Sequence, residues 1–76
     1  MDELLRFINK LPPDERADFA ARCKTSEGYL RKACSKGQKL GPALSVAIET
    51  ESGGEVTRKH LHPLDWVEQW PELEAA

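Results

Sequence analysis

The chain is short of everything that a membrane protein, a secreted scaffold or a metalloenzyme needs. Its apolar runs are only a few residues long, well under the roughly 20 consecutive apolar residues of a membrane-spanning helix. The opening MDELLRF begins acidic and holds no apolar signal core, so neither export nor membrane insertion is expected. There are two cysteines, Cys23 and Cys34, and two histidines, His60 and His62, and neither gap matches the short ligand pairs of structural zinc sites. Cys23 falls on an apolar helical stripe as a small core side chain, Cys34 reads as a half-exposed thiol, and a reducing cytoplasm would leave both unbridged. The five glycines form no phosphate loop, and no nucleophile pattern stands beside the histidines, which are expected at a surface turn. No metal, cofactor, small-molecule substrate or enzymatic activity is therefore expected. With 76 residues, one small domain burying about 60% of its unfolded surface is all that fits.

What is present is charge, unevenly placed. Charged residues make up 32% and hydrophobic residues 39% of the chain, the proportions of a soluble globular protein rather than a disordered tail. The net charge of −2 argues at first against a nucleic-acid partner. Between Arg22 and Lys39, however, six basic residues (Arg22, Lys24, Arg31, Lys32, Lys36, Lys39) face one acid, Glu27. The stretch carries +5 and leaves −7 on the remainder. Affinity for phosphate depends on that local face, although a basic run taken alone is equally compatible with an ordinary solvated helix surface.

Periodicity divides the chain into helices. Leu4, Leu5, Ile8 and Leu11 recur at helical spacing behind Asp2 and Glu3, and Pro12-Pro13 stops that first helix. A second helix from about Pro13 to Cys23 buries Phe19, Ala20 and Cys23. Thr25 or Ser26 caps a third, which continues to about Ser35 with Leu30 and Ala33 inward. Gly37 suits a left-handed helix end, and Pro42 opens a fourth helix to about Glu51, with Ala43, Leu44, Ala47 and Ile48 toward the core. Ser52-Gly53-Gly54 ends it, Thr57 caps one short turn from Arg58 to Leu61, and Pro63 follows. In the tail from Leu64, Asp65 is a plausible cap, and Trp66 and Trp70 must cover either the core or a partner. The expected fold is all-α, a single four- to five-helix domain with a tryptophan-bearing tail over residues 64 to 76.

Within it, Arg16 to Ser35 has the register of a helix-turn-helix. Ala20 is the small residue at the helix crossing, and Phe19, Cys23, Leu30 and Ala33 fill the apolar places. Lys24 stands where glycine usually takes a left-handed backbone, and Thr25 where an aliphatic residue is usual. The outward side of the third helix holds Glu27, Gly28, Arg31, Lys32 and Ser35, a short polar face suited to a DNA groove.

Two segments extend this to a family. YLRKACSKGQKL resembles the recognition helix and following loop of the lambdoid phage Cro repressors. IETESGGEVTRKHLHPLDWVEQWPEL resembles the C-terminal half of Cro and YdaS-type prophage regulators, in which a helix, a glycine pair, a Val-Thr-Arg turn, a Leu-x-Pro and a Trp follow in order. The resemblance implies a repressor in the bacterial cytoplasm, associated with the nucleoid, that binds a pseudo-palindromic double-stranded operator as a homodimer. Some Cro proteins carry a β-hairpin after the third helix; the helical signals at Pro42 to Glu51 and Thr57 to Leu61 favour the all-α form here. Glu27, Gly28, Arg31 and Lys32 match the places from which the family reads base edges, with Ser26 and Ser35 at the margins. Gly28 departs from the usual polar side chain. Arg16 matches a phosphate-holding place, and Lys24, Tyr29, Lys36 and Lys39 flank the helix in positions to do the same. The alternative is a YdaS-type antitoxin or interaction module, with Trp66 and Trp70 of the acidic tail as partner-binding residues.

Overall fold

Helix α1 spans Asp2–Lys10 in a computed structural model that describes residues 2 to 75. It buries Leu4, Phe7 and Ile8, an i, i+3, i+4 set that meets the rest of the chain along one stripe. Phe7 takes the inward place expected of Leu5, which is only half-buried. Its ring meets that of Phe19 edge-on at 5.0 Å between centroids, a favoured aromatic arrangement. Helix α2, Pro13–Arg22, brings Phe19 and Ala20 into the same core; α3, Glu27–Lys36, adds Leu30 and Ala33; and α4, Pro42–Glu51, adds Ile48. Leu40, Val56 and Leu61 close the cluster from the connecting segments and from α5, Arg58–Leu61.

Three helices end in one way. At the end of α2, the Thr25 amide donates to the Ala20 carbonyl and the Lys24 amide to Ala21, each at 2.9 Å. Gln38 and Gly37 repeat the pair on Ala33 and Cys34, and Gly54 and Gly53 repeat it on Glu49 and Thr50. This is the Schellman arrangement, which satisfies carbonyls that would otherwise lack partners and requires a left-handed residue after the cap. That residue is Gly37 after α3, as its sequence position implied, and Lys24 after α2, with φ of 64° and 62°. Lys24 is the single non-glycine residue of positive φ among those described.

The helix starts are as local as the ends. Ser26, rather than Thr25, caps α3 by accepting from the Tyr29 amide. Thr57 accepts from the His60 amide while the Thr57 amide donates to His60 Nδ1, a capping box with histidine in the usual Glu or Gln place. Val56 is fixed by the hydrogen bond that its backbone amide donates to Ser52 Oγ.

Four expectations are corrected. The tail adds two single-turn helices, α6 (Trp66–Gln69) and α7 (Glu72–Ala75), so seven helices and no strand occur among the described residues, more than the four to five expected. On α4, Ile48 is buried and Leu44 and Ala47 pack half-buried against the core as expected, whereas Ala43 is exposed and Ser45 is buried. The reason is His62, which is 2% exposed rather than at the surface. Its Nε2 lies 3.0 Å from Ser45 Oγ and its Nδ1 3.2 Å from Asp65 Oδ1, so a buried serine on α4 has a polar partner. Asp65 makes no capping bond to α6; its carboxylate accepts instead from Gln69 and Lys39. Trp70, packed edge-on to His62 and beneath the Arg58 guanidinium, is also buried.

Candidate nucleic-acid interface

The packing of α3 sets which of its residues face solvent. Leu30 and Ala33 point into the core, and Gly28, Lys32 and Ser35, spaced i, i+4, i+7 on the opposite side, are exposed. A Cβ added at Gly28 would meet nothing within 4 Å, so this end of the face is open as well as smooth. Tyr29 and Lys36, also exposed, flank one edge, and the Tyr29 hydroxyl accepts from Gln38 Nε2 at 3.4 Å. Glu27 and Arg31 form the other, half-buried edge. Ser26 is exposed, but its hydroxyl already accepts from the α3 backbone.

The six cations of the basic stretch fall into two groups. Arg22 pairs with Asp18 and Glu51, Arg31 with Glu27, and Lys39 with Asp65. Lys24, Lys32 and Lys36 have no carboxylate within ion-pair distance among the described residues. All three are exposed and lie on the α2–α3 turn and on α3 itself. The unpaired cations of the stretch thus sit on α3 and on the turn before it, while Asp18 of α2 and Glu51 of α4 neutralise Arg22.

Arg16 is used differently from the expected phosphate contact. Its Nε donates to the carbonyls of Ile8 and Leu11 at 3.0 and 2.9 Å, and its Nη2 to that of Asn9 at 3.1 Å. Proline at positions 12 and 13 denies the end of α1 the amide donors that would close it, and the guanidinium supplies them. Arg31 is also engaged: Nε donates to Glu27 Oε2 at 2.7 Å and Nη1 to Asn9 Oδ1 at 2.9 Å. Asn9 is the residue that sequence pattern did not single out. An exposed asparagine near the end of an amphipathic helix carries no periodic or motif signal, and only the approach of α1 to α3 gives it a partner.

The tryptophans separate as well. Trp70 is enclosed by His62 and Arg58 and offers nothing to a partner, whereas Trp66 is half-buried with Lys59 Nζ 4.4 Å above its ring. Beside it, Leu64 is 91% exposed and Val67 is exposed.

Ser45, His62 and Asp65 align in the order of a hydrolase triad, but Ser45 is fully closed to solvent and its hydroxyl also bonds the Gly41 carbonyl. Burial, reinforced by the Glu51 carboxylate, pushes the Cys23 thiol up to about 11, and burial raises Cys34, so both are thiols rather than thiolates at neutral pH. Among the described residues no group of three or more His, Cys, Asp or Glu side chains is placed to hold a metal ion, and no helix is long and apolar enough to cross a membrane. No protein-family model, characterised protein or solved structure matches the chain.

Proposed function

We propose that the chain is a sequence-specific double-stranded DNA-binding regulator of the Cro type, with α2 and α3 as its helix-turn-helix and α3 as the helix that enters the major groove. The observation that carries this reading is the conjunction on one short unit of a left-handed turn at Lys24, itself an unpaired cation, and an exposed α3 side bearing two more unpaired lysines, Lys32 and Lys36. A turn of that kind sets α3 across α2 with its polar side outward, and the cations give that side an attraction for phosphate. Lys32 and Ser35 stand at the centre of the face, Arg31 and Glu27 at its edge, and Lys24, Tyr29 and Lys36 around it. The resemblance of YLRKACSKGQKL and the later segment to Cro and YdaS-type regulators supports the same conclusion, and a pseudo-palindromic operator bound by two copies follows from it.

The test is binding to a randomised duplex pool across a salt series. A palindromic preference is expected, with affinity falling linearly on a log–log salt plot. Arg31→Ala should weaken the selected site by about 1–3 kcal/mol, and Lys36→Ala should weaken all duplexes alike and reduce the slope by about one. Absence of any selected sequence at low salt would defeat the proposal.

The second reading, an antitoxin or adaptor acting through its tail, has one observation in its favour. Leu64, Val67 and half-buried Trp66 form an exposed apolar group near the C-terminus. Deleting residues 64 to 76 would also remove the Trp70 cover of His62, so Leu64→Ser is the cleaner way to abolish capture of a partner without touching DNA binding.

A further inference from the structure

Asn9 belongs to α1, outside the helix pair, yet it touches both arginines that the sequence marked out. Its backbone carbonyl accepts from Arg16 Nη2, and its side-chain carbonyl accepts from Arg31 Nη1. Arg16 at the same time holds the carbonyls of Ile8 and Leu11, so the end of α1 is fixed and the Asn9 side chain starts from a fixed point. Arg31 is therefore gripped twice, by Glu27 at Nε and by Asn9 at Nη1. A long side chain on a helix surface ordinarily samples many rotamers, and two charge-assisted bonds from different helices remove much of that freedom. A guanidinium has five N–H donors. The two bonds leave Nη2 and one hydrogen of Nη1 without a partner among the described residues, which is the end of the fork that matches guanine O6 and N7.

We infer that Asn9 is a specificity-determining positioning residue: with Glu27 it holds the Arg31 guanidinium so that its Nη end is presented to a guanine in the major groove. This rests on the DNA-binding reading above. Asn9 does not itself reach the base; it acts by lowering the entropy that Arg31 loses on docking and by excluding orientations that would suit other acceptors.

The experiment compares wild type, Asn9→Ala, Asn9→Asp and Arg31→Ala in selection from a randomised duplex pool, with competition binding of the selected site against single-base variants. Wild type should select a guanine that Arg31→Ala ceases to select. Asn9→Ala should lower the preference for that guanine by about five- to tenfold while leaving affinity for random duplex and the salt slope unchanged, because no phosphate-facing cation is removed. Asn9→Asp keeps an acceptor for Nη1 and should restore the preference. Thermal unfolding of each variant identifies a merely destabilised fold, which would weaken all duplexes alike and would not be rescued at one base. An Asn9→Ala protein whose guanine preference stays within twofold of wild type, while Arg31→Ala has lost it, overturns the positioning role and leaves the DNA-binding reading intact. Failure of wild type to select any sequence overturns both.

Discussion

Replacing Lys24 by glycine should make the protein more stable. Lys24 has φ of 62° at the left-handed place of the α2 Schellman motif, where a Cβ crowds the following carbonyl at a cost of about 1–2 kcal/mol. Nothing is lost in exchange, because the lysine side chain is exposed and has no hydrogen-bond or ion-pair partner among the described residues. Glycine brings its own penalty through a freer unfolded chain, about 0.4–1 kcal/mol. The difference leaves a net gain of about 0.5–1 kcal/mol, which for a domain of this size raises the unfolding midpoint by roughly 3–6 °C. Thermal unfolding followed by circular dichroism measures it. Gly37→Ala is the counterpart with the opposite sign: the same motif at φ of 64° with open space around the new Cβ, so that conformational strain alone should destabilise by about 1 kcal/mol. A Lys24→Gly protein with a midpoint at or below that of wild type would mean that the α2–α3 turn is not left-handed at this residue in solution. The geometry offered for the helix-turn-helix would then fail with it. The same variant lacks one cation on the proposed DNA face, so it should also show a salt slope shallower by about one, an instance of stability and affinity moving in opposite directions.

Two further outcomes test the accounting of charge. Arg16→Ala should lower stability by about 1–3 kcal/mol in urea unfolding, since three carbonyls near the end of α1 lose a charged donor, yet leave the salt slope of DNA binding unchanged. A reduced slope would return Arg16 to the phosphate-contacting role that its sequence position suggested. Glu49 gives the pH dependence. Burial opposes its ionisation, but bonds from the Arg58 amide and guanidinium outweigh burial and hold its carboxyl below the ordinary value of 4.5. A depressed carboxyl pKa stabilises the fold fully above the unfolded value, and that contribution disappears as pH falls through the folded one. The urea midpoint should therefore fall on acidification below about pH 5, and Glu49→Gln should flatten that part of the profile.

The local grammar of the chain was readable without coordinates. Pro12-Pro13, Ser26, Gly37, Pro42, Ser52-Gly53-Gly54 and Thr57 mark helix boundaries because capping and left-handed turns are decided by groups within a few residues of one another. The buried stripes of α2 and α3 followed from spacing for the same reason. Side chains that reach across the fold were not readable. Nothing near His62 in sequence shows that Ser45, 17 residues earlier, will bury it, and nothing near Arg31 shows that Asn9 will bind it. Arg16 is the clearest case: its place in the helix-turn-helix register suggested phosphate, but the proline-ended helix packed before it lacked donors and claimed them. By itself, then, the sequence determined an all-helical chain with a basic helix pair, because propensity, capping and charge are local. Only the tertiary structure decided which cations remain unpaired and which are already engaged, because that depends on acceptors brought together from other helices.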